Sequence, residues 1–229
     1  MNSELKKKRD DFDAPLSALR RDYSLKGLRR AELSPDPIDQ FTKWFGEMRA
    51  AQGGEGARDV NAMTLATVDA RGRPSARIVL LKGVDSKGFV FFTNYLSRKG
   101  RELEGNPAAA LVFYWPEVER QVCVAGAVTK LSDEESKLYF TSRPRGSRLA
   151  AWASQQSEPV SGRQALEEEW TRLEAKYPGE FIPKPPHWGG FIVAPERIEF
   201  WQGRPSRLHD RFCYEKSSDG TWKIERLGP

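Results

Sequence analysis

The chain has 229 residues, 38% of them hydrophobic and 30% charged, and carries a net charge of +5. That length fits one large domain that buries a core without metals or disulfides, and no apolar run approaches the roughly 18 residues of a membrane span. The opening MNSELKKKRDDFDA lacks the apolar stretch of a signal peptide, so a cytoplasmic protein is expected, with Cys123 and Cys213 as reduced thiols in core strands.

Residues 1 to about 35 are polar and mixed in charge, and read as a mobile arm with one short helix around Leu16 to Tyr23. Asp36 then caps a helix with Pro37 at its first position, and Ile38, Phe41, Phe45 and Met48 form its apolar face. QGGEGARD ends it. From Ala62 the period turns strand-like: AMTLATV, SARIVLLKG and FVFFTN are separated by turns at DARGRP and DSKG. SRKGRELEGNP is a short helix, followed by strands AAALVFYW and RQVCVAGAVTKL. Ser132 and Glu135 make a capping box, Pro144 closes that helix and opens the next, and a longer helix carries Leu166, Trp170, Leu173 and Tyr177 on one stripe with Glu168 paired to Arg172. The chain returns to strands in GGFIVAP, RIEFWQG, RFCYEK and TWKIERL.

About seven antiparallel strands with inserted helices argue for an α+β barrel or sandwich. No GxGxxG or GxxxxGK[ST] run is present, so neither a dinucleotide fold nor a P-loop is expected, and no metal-ligand spacing appears. The arginines fall in separate short clusters in different elements, which suits small anionic groups converging on one pocket better than a nucleic-acid stripe.

Several constellations carry chemistry. Arg77 and Lys82 bracket an aliphatic strand and, five apart, are expected on opposite faces, serving different groups. Ser97, Arg98 and Lys99 open a helix, where free N–H groups already favour an anion. Tyr139, Arg143 and Ser147 recur every four residues, so two hydroxyls and a guanidinium can converge on one anion. The SQQSEP run from Ser154 offers amides and hydroxyls, and Gln121 is a lone amide in an apolar strand that needs a partner from the protein or a ligand. FWQGRPSRLHDRF, residues 200–212, packs three arginines and one of the chain's two histidines among aromatics, with Arg207 and His209 sharing a face if the segment is extended.

The runs RIVLLK, ERQV, YFTSRPRGS, WGGF, IEFWQG and RLHDRF, in this order, resemble the pyridoxine (pyridoxamine) 5′-phosphate oxidase family. The likeness covers the chain from LRRDY at 19–23 to its end, leaving residues 1–18 as an arm and 19–229 as one domain with C-terminal dimerisation strands. It implies an FMN-binding split barrel, a homodimer with FMN between subunits, and oxidation of pyridoxine or pyridoxamine 5′-phosphate to pyridoxal 5′-phosphate by O₂, releasing H₂O₂. By the same resemblance FMN is held by Arg77, Ile78, Val79, Leu80, Leu81, Lys82, Phe92, Thr93, Arg98, Lys99, Gln121, Gln156, Ser157, Trp201 and Arg211. The substrate is held by Arg20, Arg21, Asp22, Tyr23, Lys82, Tyr139, Arg143, Ser147, Arg207, Leu208 and His209, with Arg207 and His209 the catalytic pair. Phe92 stands where the family often has Tyr, so a phenol contact there is lost and a backbone contact survives. Two rivals are a split-barrel reductase using a nicotinamide, disfavoured by the SRPRGS and RLHDR runs, and a module that stores FMN or pyridoxal phosphate without turnover.

Overall fold

The computed structural model describes residues 22–54 and 59–229. The expected helix at Leu16 to Tyr23 and the arm at 1–18 lie outside the described residues, apart from Asp22 and Tyr23. Helix α1 (Pro37–Ala51) begins as expected, with Asp36 Oδ1 accepting the Ile38 N–H at 2.6 Å and Pro37 at the first position. Its buried face is Phe41, Trp44 and Met48, with Ile38 and Phe45 half-covered at its margin.

Nine strands form one sheet: β1 (Ala62–Val68), β2 (Pro74–Leu80), β3 (Gly83–Asp85), β4 (Gly88–Asn94), β5 (Ala108–Trp115), β6 (Arg120–Lys130), β7 (Trp188–Gln202), β8 (Asp210–Lys216) and β9 (Trp222–Leu227). Their order is β2-β1-β5-β6-β7-β4-β3, with β8 on β7 and β9 on β8, and every pairing is antiparallel. The sheet curls so that β2 at one end approaches β4 near the other, a split barrel around Phe41, Leu65, Phe89, Phe113, Val124, Val193 and Phe200.

The two expected strands GGFIVAP and RIEFWQG are one 15-residue strand, β7. Pro195 reads as a breaker in the sequence, yet it sits at a bulge where the β6 register shifts between Ala125 and Gly126. A Cβ on Gly126 would lie 1.9 Å from the Ala194 carbonyl oxygen, so only glycine lets the two backbones approach there. The first half of β7 pairs with β4 and the second half with β8, while β6 runs along its other edge.

Helix α2 (Arg98–Gly105) follows β4, and α3 (Asp133–Ser142), α4 (Arg145–Ala153) and α5 (Arg163–Lys176) lie between β6 and β7. The Ser132–Glu135 capping box forms as expected. These last helices bury a second cluster of Phe140, Leu149, Leu173, Ile182 and Trp188. In α5 the expected Glu168–Arg172 pair is absent: Arg172 turns back to Glu169, and Glu168 accepts from Gln164. Leu166, expected on the apolar stripe, is exposed.

The segment 22–35, expected to be mobile, is seated on the barrel. Leu28 and Leu33 enter the core, and the Tyr214 hydroxyl donates to the Ser34 carbonyl at 2.7 Å. The core assignment of Cys123 also needs correction: Val122 and Val124 point inward, so Cys123 faces the outer side of the sheet half-buried, while Cys213 is buried and both are free thiols. No helix among the described residues is long and apolar enough to cross a membrane.

Candidate functional site

A cavity of about 940 Å³ opens where the barrel is split, between β2, the end of β4, the start of α2 and the α3–α4 corner. Among the described residues five cations line it, Arg77, Lys82, Arg98, Lys99 and Arg143, and no carboxylate does. Of the residues assigned to FMN by resemblance, Arg77, Ile78, Val79, Leu80, Lys82, Phe92, Thr93, Arg98, Lys99, Gln156 and Ser157 line this space, and of those assigned to substrate, Lys82, Tyr139, Arg143 and Ser147 do.

Arg77 and Lys82 reach the same cavity, not opposite faces. Strand β2 ends at Leu80, and the chain then turns so that the Lys82 N–H bonds Val90 O at 2.8 Å on β4. Leu81 is buried in the barrel core and does not line the cavity.

The cations are held by different means. Beneath the β2 edge, Glu102 of α2 accepts from Thr67 Oγ1 at 2.5 Å, Ser75 Oγ at 2.6 Å, Arg98 Nε at 2.8 Å and Arg77 Nη2 at 3.1 Å. Burial pushes its acidity the other way, but those hydrogen bonds outweigh it and hold the Glu102 carboxyl at about 2. It is therefore ionised and fixes two guanidiniums at one rim of the cavity. At the amino end of α2, Ser97 Oγ caps Gly100 N, and Ser157 Oγ accepts the Arg98 N–H at 3.1 Å. Lys99 is buried, and its Nζ donates to Gln156 Oε1 at 2.9 Å and to Thr93 Oγ1 at 3.3 Å. Burial depresses the Lys99 pKa, with Arg77 adding repulsion.

Across the cavity Phe92 and Tyr139 stack at 4.0 Å between centroids, with Trp188 nearly parallel beyond them, and the Arg143 guanidinium rests 4.7 Å over the Trp188 ring. Arg143 Nη1 is buried and has no hydrogen-bond partner. Burial lowers the Arg143 pKa. Trp188, in the WGGF run, was not singled out by sequence; its spacing carried no signal, since it meets Tyr139 and Arg143 only through the fold.

The other assigned residues gather elsewhere. Trp201 of β7 pairs in register with Gln121 of β6 and Arg211 of β8. His209 packs on Trp201 at 4.7 Å, and Tyr23 stands edge-on to both at 5.4 Å. Gln121 Nε2 reaches Cys123 Sγ at 3.3 Å, and Arg211 Nε donates to Glu199 Oε1 at 2.8 Å. Arg207 and Leu208 are exposed. The stretch carrying them is not extended: Pro205–Arg207 is a 3₁₀ turn with left-handed φ of 57° at Ser206 and 61° at Arg207, so the face-sharing argument for Arg207 and His209 fails. His209 Nδ1 faces the Arg204 N–H at 3.1 Å, which makes Nδ1 an acceptor and leaves the proton on Nε2. Burial first, and the Arg207 charge second, lower the His209 pKa and favour this neutral form. Asp22 is exposed, and Arg20 and Arg21 lie outside the described residues.

Residues 55–177 match the family model for pyridoxamine 5′-phosphate oxidase, and 188–229 match that for the pyridoxine 5′-phosphate oxidase C-terminal dimerisation region. The chain belongs to the pyridoxine/pyridoxamine 5′-phosphate oxidase family. It is 57% identical over 214 residues to a pyridoxine/pyridoxamine 5′-phosphate oxidase of Paraburkholderia phymatum, covering 93% of this chain and 99% of that one. It is 54% identical to the Nostoc punctiforme protein of the same name, over 95% of this chain and all of that one. Among solved structures, PhzG from Burkholderia lata 383, in complex with tetrahydrophenazine-1-carboxylic acid, superposes with a TM-score of 0.83 at 29% identity, over 91% of this chain and all of PhzG. A pyridoxamine 5′-phosphate oxidase-related, FMN-binding protein of Nostoc punctiforme shares the fold with a TM-score of 0.68 at 19% identity, over 86% of this chain and all of that one. FMN, which that Nostoc punctiforme protein binds, is the cofactor that the resemblance implies for this chain. The residues present fit it: the Arg77 and Arg98 guanidiniums and the Lys99 ammonium gather with the Ser157 hydroxyl at the amino end of α2, in a cavity whose described lining has no carboxylate.

Proposed function

We propose that this chain is an FMN-dependent oxidase converting pyridoxine 5′-phosphate or pyridoxamine 5′-phosphate to pyridoxal 5′-phosphate, consuming O₂ and releasing H₂O₂, with ammonia from the amine. The observation that carries this is the cavity's charge: five cations in two groups, with no lining carboxylate, match two phosphorylated molecules side by side. Arg77, Arg98, Lys99 and the amino end of α2 form one group and would hold the FMN phosphate. Arg143, with the Tyr139 and Ser147 hydroxyls and Lys82, forms the other and would hold the substrate phosphate, fixing the rest of the ring in place. FMN, when bound, supplies the two-electron redox chemistry and its reoxidation by O₂.

The second cluster belongs to the same site only if another copy supplies it. Trp188 lines the cavity and Trp201 holds the second cluster, thirteen residues further along one strand, about 40 Å at the usual rise. The outer sheet face between them is apolar and open: Ile78, 65% exposed, Thr64, Val112 and Cys123 lie in one cross-strand row leading to Glu199. A homodimer packed through this face would bring Gln121, Trp201 and Arg211 to the partner's FMN, and Tyr23, Arg207, Leu208 and His209 to its substrate, with Arg20, Arg21 and Asp22 following. There His209 would act as a neutral Nε2–H donor toward substrate oxygen and Arg207 as a guanidinium donor beside it. An oxygen-electrode assay with pyridoxine 5′-phosphate tests the proposal. Turnover with peroxide release supports it; flavin-loaded protein that consumes no oxygen with either phosphorylated substrate defeats it in favour of storage.

A further inference from the structure

Glu119 lies outside the cavity described above and belongs to none of the residue sets above, yet at 3% exposure it is the most buried carboxylate among the described residues. It ends the 3₁₀ turn Pro116–Val118 with φ 55° and ψ 42°, a left-handed conformation that a non-glycine residue keeps only when its surroundings impose it. They do: its carbonyl accepts the Gly203 N–H at 2.8 Å and Gln202 Nε2 at 3.2 Å. The carboxylate is thereby aimed at the N-terminal segment. Oε2 accepts the Ser24 N–H at 3.1 Å and the Leu25 N–H at 3.0 Å, and Oε1 lies 3.3 Å from the same Ser24 nitrogen.

The residue just before these two amides is Tyr23, whose ring stands against Trp201 and His209. Gly203 completes the fit: a Cβ there would lie 2.5 Å from Tyr23 Cδ1 and 3.1 Å from Glu119 Cβ. On the far side Arg204 Nη1 donates to Leu25 O at 3.1 Å, and Asp210 Oδ2 accepts the Leu28 N–H at 3.0 Å. The loop bearing Arg207 and His209 is thus tied to the segment bearing Tyr23 by the Arg204 and Asp210 side chains, which hydrogen-bond that segment's main chain, with Glu119 at the end nearest the rings.

We propose that Glu119 is a positioning residue for the oxidase reaction, a clasp on the Ser24 and Leu25 amides that sets Tyr23 against His209 and Trp201. This rests on the reading above that Tyr23 and His209 meet the substrate. Because the clasp grips main-chain N–H groups, it is insensitive to which side chains stand at 24 and 25.

The test uses full-length, FMN-loaded protein carrying Glu119→Gln, Glu119→Ala and Tyr23→Ala, singly and combined. The readouts are kcat and KM for pyridoxine 5′-phosphate, flavin per chain, and hydrogen exchange over residues 24 and 25. In Glu119→Ala exchange speeds up and kcat/KM falls by roughly 10- to 100-fold with flavin retained, the scale of losing hydrogen bonds to a charged group. Glu119→Gln, which keeps one acceptor oxygen, loses less. In the Tyr23→Ala background the further loss shrinks to below about threefold, because two residues acting through one contact are not additive. An unchanged kcat/KM in both Glu119 variants overturns the proposal. So does a loss of equal size with and without Tyr23, or flavin release in both variants, each of which marks a structural role. Unchanged exchange in the variants of an active enzyme refutes the clasp alone. A wild type that does not oxidise pyridoxine 5′-phosphate refutes the reading of the reaction and this role with it, while exchange still reports whether the clasp exists.

Discussion

Replacing Arg143 with alanine separates binding from stability. The guanidinium is half-buried, leans 4.7 Å over Trp188 and leaves Nη1 without a partner. A hydrogen bond from a charged group to an anion contributes about 1.5–3 kcal/mol, so losing it raises KM for pyridoxine 5′-phosphate by roughly 10- to 150-fold. The ligand-free fold loses a cation–π contact of about 1 kcal/mol but is relieved of an unsatisfied buried donor costing about 1–3 kcal/mol. These terms offset, and the melting temperature of the ligand-free protein stays within a few degrees of wild type. Initial rates of oxygen uptake against substrate concentration, a thermal melt and the flavin content of the purified variant check the three parts. An unchanged KM, or unphosphorylated pyridoxine oxidised as well as the phosphate ester, refutes the clamp. A large drop in melting temperature shows instead that the guanidinium holds the α3–α4 corner together.

Arg207→Leu and His209→Asn are expected to keep FMN and the fold while kcat/KM drops by about 10²- to 10⁴-fold, whereas an Arg211 variant loses flavin and regains activity with excess FMN. Equal flavin loss in all three, measured side by side, would merge them into one cofactor-binding strip. Glu102 is held ionised down to about 2, well below the ordinary 4.5, so the stability it contributes is present above about pH 4.5 and is lost as pH falls toward 2. Glu102→Gln should therefore flatten the acid side of the unfolding profile between those values, and a profile parallel to wild type counts against an ionised Glu102. Val112→Asp places a charge in the middle of the open sheet face and should yield monomers by size-exclusion chromatography, with flavin affinity reduced. A variant that stays dimeric locates the interface elsewhere.

The helix caps and the α2 start were legible because each depends on neighbours within four residues, whereas Tyr139, Arg143 and Ser147 share a cavity without sharing a helical face, since α3 ends at Ser142 and Arg143 is extended. Resemblance supplied the assigned residues, but not their division into two separate places on one chain. That division follows from β7, and β7 was hidden by Pro195, a residue that breaks strands everywhere except at a bulge. The Arg77–Lys82 argument failed because it extended β2 two residues past its end. Arg207 and His209 were misplaced relative to each other because nothing in PSR announces left-handed φ at Ser206 and Arg207. Glu119 was invisible for a different reason: its partners are amides 94 and 95 positions away, and main-chain groups leave no trace in a side-chain pattern.

The length of β7 also sets the genetics of the enzyme. On the shared site proposed above, a chain whose two clusters sit at opposite ends of one strand cannot repair its own defect, but it can repair that of a sister chain. Mix two impaired proteins, one carrying Arg143→Ala and the other His209→Asn, let subunits exchange, and assay at a substrate concentration far below the KM of the Arg143→Ala protein. Half of the dimers become hybrids, and in each hybrid one site inherits both lesions while the other inherits neither. About a quarter of wild-type activity should return from parents that have almost none, an outcome that mass action over random pairing dictates.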